Sequence, residues 1–190
     1  MTFNIRVAVP DDVPGLAALI PASVRGLSNG YYTDRQVESA LVYVFGIDSQ
    51  LIQDGTYFVA ESGNTLVGCG GWSKRNTLYG GDQTKGTEDP LLDPARDAAR
   101  IRAFFVHPAW ARLGIGRRLM HACEEAARAA GFRRATLGAT LPGEPLYVAM
   151  GYDAVERFTL QFPDGEAFPL VKMEKQLGIT QPQGDQDLQD

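Results

Sequence analysis

The sequence predicts a single α/β domain, on three observations. Runs in which apolar and polar residues alternate stand in neighbouring pairs across glycine-containing turns, as the strands of hairpins do. Other segments carry apolar residues at helical spacing between capping residues. Finally, the 190 residues are 44% hydrophobic and 22% charged, enough to bury one core without cross-links.

Phe3 to Val7 alternates as a half-buried strand. Asp11 or Asp12 caps a helix with Val13, Leu16, Ala17, Leu19 and Ile20 on its apolar side, and Pro21 is expected to end or bend it. Arg25 to Tyr32 reads as a flexible loop with two aromatics. Thr33 and Gln36 form a capping box for a helix carrying Val37, Ala40, Leu41, Val44 and Phe45, and Gly46 stops it. Thr56 to Glu61 and Thr65 to Trp72 flank Ser62-Gly63-Asn64, a hairpin signal in which Cys69 is a small core residue. Gly68, Gly70 and Gly71 weaken the second arm, so something is expected to approach its backbone closely.

Lys74 to Ala99 is long and aperiodic, with Gly80, Gly81, Gly86, Pro90 and Pro94, a connection of the kind that often serves as a functional lid. Ile101 to Val106 is a β-prone run closed by His107-Pro108. A helix opens near Gly116, carries Leu119, Met120, Cys123, Ala126, Ala127 and Ala130 on one side, and ends at Gly131. Ala135 to Leu137 reads as a strand and Leu146 to Met150 as a short helix ended by Gly151. Ala154 to Phe162 and Phe168 to Lys175 form a hairpin through Pro163-Asp164-Gly165. Residues 1–177 make the domain and 178–190 a polar tail with Asp185, Asp187, Asp190 and no basic residue.

Eighteen basic and 23 acidic residues give a net charge of −5, which argues against a nucleic-acid footprint. No run approaches a membrane span, and Cys69 and Cys123 make neither a disulfide framework nor, with the histidines, a zinc spacing, so no metal is expected. The default expectation is a soluble cytoplasmic protein.

One stretch carries chemistry. A strand and His107-Pro108 are followed by Arg112-Leu113-Gly114-Ile115-Gly116-Arg117-Arg118 and a helix. The first turn of a helix exposes four N–H groups and partial positive charge, which acidic side chains normally answer. Here arginines stand in that turn and the first acid is Glu124. An external anion would complete it, and Gly114 and Gly116 leave room for a phosphate against the amides. A dinucleotide loop would need glycine where Leu119 stands. A Walker loop would need the lysine that Gly81 to Thr87 lacks.

Phe105-Val106-His107-Pro108, Gly114-Ile115-Gly116-Arg117-Arg118-Leu119 and Leu146-Tyr147-Val148-Ala149-Met150-Gly151-Tyr152 together resemble the GNAT superfamily of acetyl-CoA-dependent N-acetyltransferases. That family's loop reads Arg or Gln, two variable residues, Gly, any residue, then Gly or Ala, and its later signature is a Tyr shortly before a Gly-aromatic pair. The likeness spans roughly Phe3 to Lys175 and is densest from Ile101 to Tyr152. It implies a mixed, mostly antiparallel central sheet flanked by helices, with acetyl-CoA as cosubstrate and an amine as acceptor. Phe104, Phe105 and Val106 would offer backbone groups to the pantetheine arm, as an added strand would. Arg112, Leu113, Gly114, Ile115, Gly116 and Arg117 would cradle the pyrophosphate. Tyr147 would protonate the departing thiolate; its phenol pKa of about 10, above the roughly 8.5 of a thiol, keeps it in the acid form at neutral pH. The loop's first position falls on Ala111, with Arg112 one residue later, and Thr140 stands in for an Asn that many members carry.

The implied reaction is direct attack by a neutral amine, with a backbone N–H near Val106 facing the oxyanion. Glu38, Asp82, Glu88, Glu144 and His107 are the visible bases, and none is assigned. Tyr31, Tyr32, Trp72, Arg75 and Tyr79 are candidates for the acceptor pocket, which residues 74–99 are expected to cover. The acceptor, whether small molecule or peptide amine, stays open, and a homodimer is a family-level expectation. A non-catalytic acyl-CoA-binding regulatory domain is the alternative, and an interaction module with a merely structural glycine turn stands behind it.

Overall fold

The computed structural model describes residues 2–86 and 88–178, so the expected tail lies, apart from Gly178, outside the described residues. The strands are β1 (Asn4–Val7), β2 (Tyr57–Ser62), β3 (Thr65–Ser73), β4 (Ala99–Val106), β5 (Arg134–Thr140), β6 (Asp153–Gln161) and β7 (Ala167–Gln176). The helices are α1 (Val13–Leu27), α2 (Asp34–Tyr43), α3 (Ser49–Gln53), α4 (Ile115–Ala129) and α5 (Glu144–Ala149). All seven strands join one sheet in the order β1-β2-β3-β4-β5-β7-β6. Its pairings are antiparallel except β4 with β5, which run parallel and meet only at Ala99–Ala135 and Arg100–Thr136. Beyond those residues the two strands separate, and the sheet opens along its middle. Among the described residues no helix is long and apolar enough to cross a membrane.

Side-chain alternation fills both faces. On β7, Phe168 and Leu170 pack with Leu16, Ile20 and Val24 of α1, whereas Val171 and Met173 pack with Met120, Cys123 and Ala127 of α4. The α2 capping box forms as expected: Thr33 Oγ1 accepts from Gln36 N at 3.1 Å, and Gln36 Oε1 accepts from Thr33 N at 2.9 Å. Gly131 ends α4 with φ +93°.

Three expectations need correction. First, α1 runs on through Pro21 to Leu27, so Arg25 to Leu27 are helical and not loop. Proline removes one helical N–H, but Ser23 and Val24 beyond it are buried and Gly26 lies against Pro108, and this packing holds the extra turn. Second, Asp12 does not cap α1 with its side chain. Its carboxylate instead accepts from Val9 N at 2.8 Å and takes both ends of the Arg6 guanidinium at 2.8 and 2.7 Å. Third, α3 was not expected. Asp48 Oδ1 accepts from Leu51 N at 3.3 Å and starts it.

The glycines of β3 are indeed approached closely, by the protein itself. A Cβ on Gly68 would stand 2.6 Å from Ile115 Cγ2, and one on Gly70 would stand 2.7 Å from the Phe104 ring.

The Arg6 hydrogen bonds hold the Asp12 carboxyl below its ordinary value, outweighing desolvation. A depressed folded pKa adds stability above the unfolded value of about 3.9 and loses it as pH falls through the lower folded value. Asp12→Asn should therefore cost about 1 kcal/mol at pH 7 and almost nothing near pH 2. Urea unfolding at the two pH values checks this, and equal losses at both would contradict it.

Candidate active site

Where β4 and β5 part there is a cavity of about 750 Å³ whose walls come from both faces of the sheet. Phe104, Phe105, Val106 and Thr140 line it from the strands, and Arg112, Gly114, Ile115, Gly116 and Arg117 from the turn into α4. Tyr147 lines it from α5, and Leu27, Ser28, Tyr31 and Phe45 from the segments beside α1 and α2. Of the residues singled out in the sequence for cofactor binding and catalysis, only Leu113 falls outside this lining. It turns to solvent at 48% exposure, because the reversed backbone of the turn directs its neighbours inward.

That turn is built by unusual backbone. A 3-10 turn at Pro108–Trp110 is followed by Arg112 at φ +66° and Gly114 at φ +84°, both left-handed. Successive reversals gather N–H groups on one side, a concavity that suits anions. The first turn of α4 holds no acid and Gly114 makes no side-chain cap, so its amides are uncommitted. Among the described residues neither Arg112 nor Arg117 meets a carboxylate. Arg118 is occupied elsewhere, with its guanidinium 4.7 Å above the Phe3 ring. The glycines differ in purpose. A Cβ on Gly114 would meet nothing within 4 Å, whereas one on Gly116 would stand 2.8 Å from Leu146 Cδ2. Gly116 thus makes room for the protein's own α5 as well as for any ligand.

Since the space beside Gly114 is open, Gly114→Ala isolates the cost of the left-handed backbone. It should lower stability by about 1 kcal/mol, or roughly 2–4 °C in Tm, and a scan showing no change would refute the strain.

β4 carries a bulge. Ala103 has φ +56°, and the β3–β4 register slips between Cys69 and Gly71. Buried groups brace it: Tyr57 Oη lies 3.3 Å and Cys69 Sγ 3.7 Å from the Ala103 carbonyl oxygen. The Val106 N–H, in the stretch where an oxyanion-facing amide is expected, is donated to Ser23 Oγ at 3.0 Å. Ser23 lines the cavity, as do Phe45 and Trp110. A lone serine in an amphipathic helix carries no sequence signal for such a role.

Tyr147 is 9% exposed, with its ring edge-on to Phe104 at 6.3 Å and to Tyr152 at 6.1 Å. Its hydroxyl has no hydrogen-bond partner among the described residues. Burial pushes the phenol well above its ordinary value, so it stays protonated at neutral pH. Thr140 Oγ1 accepts from Gly143 N at 3.3 Å and helps fix the turn before α5.

None of the candidate bases lines the cavity; four of the five are engaged elsewhere, and Glu88 is exposed on the long connection. Glu38 is paired with Arg25 at 2.6 and 2.8 Å, and Glu144 with Arg157 at 2.7 and 3.3 Å. Asp82 accepts from Ser49, and His107 Nδ1 accepts from Ala109 N at 3.2 Å. Of the five acceptor-pocket candidates only Tyr31 lines the cavity. Tyr32 is a fastener whose hydroxyl donates to Pro169 O at 2.6 Å and accepts from Leu141 N at 2.9 Å. Trp72 is buried against Phe132, Arg75 holds Asp54, and Tyr79 of the long connection lies on Phe158.

Solved structures share this fold. A GCN5-related N-acetyltransferase from Rhodopseudomonas palustris is similar over 93% of this chain and 96% of its own, with TM-score 0.68 and 23% identity. The PaiA N-acetyltransferase of Thermoplasma acidophilum, solved in complex with coenzyme A, matches over 93% and 99% of the two chains, with TM-score 0.63 and 14% identity. YncA of Salmonella typhimurium, solved with its cofactor acetyl-CoA, matches over 97% and 99%, with TM-score 0.60 and 17% identity. At such identities the likeness is one of fold. Among curated proteins none matches the chain closely enough to count as a relative. The model of the acetyltransferase (GNAT) family matches residues 23–152, which include the β4 strand, the anion turn and Tyr147, and the chain belongs to that family.

Proposed function

We infer that this protein transfers an acetyl group from acetyl-CoA to a primary amine by direct attack, with Tyr147 as the general acid. The observation that carries this reading is a buried phenol without a hydrogen-bond partner, set in the cavity that leads from the uncommitted α4 amides. Acetyl-CoA fits these residues: its pyrophosphate suits the Gly114 turn with Arg112 and Arg117, and its pantetheine arm suits the opened edge of β4. When bound, it supplies an acetyl group activated as a thioester, whose carbonyl carbon a neutral amine can attack so that the N–C bond forms and the C–S bond breaks. Tyr147 holds the proton that the thiolate needs. The apolar walls of Val24, Leu27 and Phe45 exclude water from the transfer. No candidate base lines the cavity, so the amine's own proton leaves to solvent, from which Tyr147 regains the proton it gives to the thiolate.

Thiol release in the presence of a panel of small amines and peptide amines tests the reading. Turnover with at least one acceptor is expected. That no candidate base lines the cavity favours one second reading, an acyl-CoA-binding regulatory domain. Coenzyme A that raises Tm while no amine yields thiol would support it. No thermal protection by coenzyme A at all would overturn both.

A further inference from the structure

Ser23 is 4% exposed, stands on α1 and lines the cavity opposite the open edge of β4. Its oxygen accepts the Val106 N–H at 3.0 Å. A hydroxyl has one hydrogen to give, and among the described residues no protein group receives it. Leaving a donor idle in so enclosed a place costs free energy unless something in the cavity takes it.

Val106 N is the donor that an arm laid along β4 would otherwise use. His107 N, the next amide, already donates to Val67 O of β3 at 2.9 Å, so Val106 N points the other way, toward the opening. With Ser23 seated on it, an arm beside β4 meets a hydroxyl in place of an amide. The interposed oxygen also widens the gap between strand and arm beyond the ordinary strand spacing of about 4.8 Å.

We propose that Ser23 is a ligand-binding residue: it takes the Val106 N–H and donates its own hydrogen to an amide carbonyl of the pantetheine arm of coenzyme A. The hydroxyl thereby relays the polarity of β4 to the ligand. This rests on the acetyl-CoA reading above and adds a side chain to a contact that backbone was expected to make. No bond is made or broken, so Ser23 acts on affinity and not on the chemical step.

The test is calorimetric binding of three probes to the wild-type chain and to Ser23→Ala. The probes are coenzyme A, acetyl-CoA, and adenosine 3′-phosphate 5′-diphosphate, the nucleotide half without the arm. Ser23→Ala should weaken coenzyme A and acetyl-CoA alike by about five- to tenfold, the worth of one neutral hydrogen bond. Binding of the nucleotide half should not change, which also certifies the fold of the variant. A loss below twofold for both coenzymes would mean that the freed Val106 amide serves the arm directly, and would overturn the proposal. So would a loss confined to acetyl-CoA, which would place the contact on the thioester. If the wild-type chain binds none of the three probes, the acetyl-CoA reading fails first.

Discussion

Tyr147→Phe should retain the fold and lose about two orders of magnitude in kcat, with acetyl-CoA affinity within about twofold. The fold survives because the hydroxyl has no protein partner among the described residues and the ring keeps its edge contacts with Phe104 and Tyr152. The rate falls because the variant has no proton to give. In water, full transfer from a phenol to a thiolate runs uphill by about 1.5 pKa units. Departure of the thiolate and proton transfer from the phenol are therefore expected to be concerted with breaking of the thioester bond. Because the phenol is raised, the acid form persists through neutral pH, and only above roughly pH 10 should wild-type turnover fall on its account. Stopped-flow thiol release on both proteins checks the effect. A phenylalanine variant within twofold of wild type would remove Tyr147 from the chemistry.

Asp48→Ala should be the most damaging single change to stability, at about 3–5 kcal/mol, or a fall in Tm on the order of 10 °C. The Asp48 side chain is fully buried, that of Arg102 is 2% exposed, and they lie 2.9 Å apart. Asp48 also binds Lys85 and caps α3 through Leu51 N, while Arg102 donates to the Gly80 carbonyl. Their contact is an ion pair without a well-aligned hydrogen bond, for Asp48 Oδ2 and Arg102 Nε both lack one. Removing the acid therefore strands a guanidinium in the interior. It also frees the connection at Lys85, so proteolysis should begin near that residue. Thermal unfolding and limited proteolysis read both effects. A loss under 1 kcal/mol with an intact connection would show the cluster to be dispensable.

Elements with a local signal were legible before the structure. The α2 capping box, the β2–β3 hairpin at Gly63 and the glycine-arginine turn before α4 each follow from residues a few positions apart. What was not legible depends on distant partners. Five residues are too few for α3 to show periodicity, although Asp48 was in place to cap it. The extra turn of α1 after Pro21 is held by tertiary packing, which outweighs local preference. Ser23 and Val106 meet across 83 positions of sequence, and nothing near either announces the other. The β3 glycines did announce a close approach, but composition could not say that Ile115 and Phe104 make it. The turn before α4 was read from its own residues, and the direction in which Leu113 points was not.

The seam between β4 and β5, stitched by only two residue pairs, makes the molecule mechanically a hinged book. Four strands form one cover and three the other, and the spine lies at one end. A ligand arm laid into the gap would act as a clasp between the two covers, which α1 and α4 already bind together on either face.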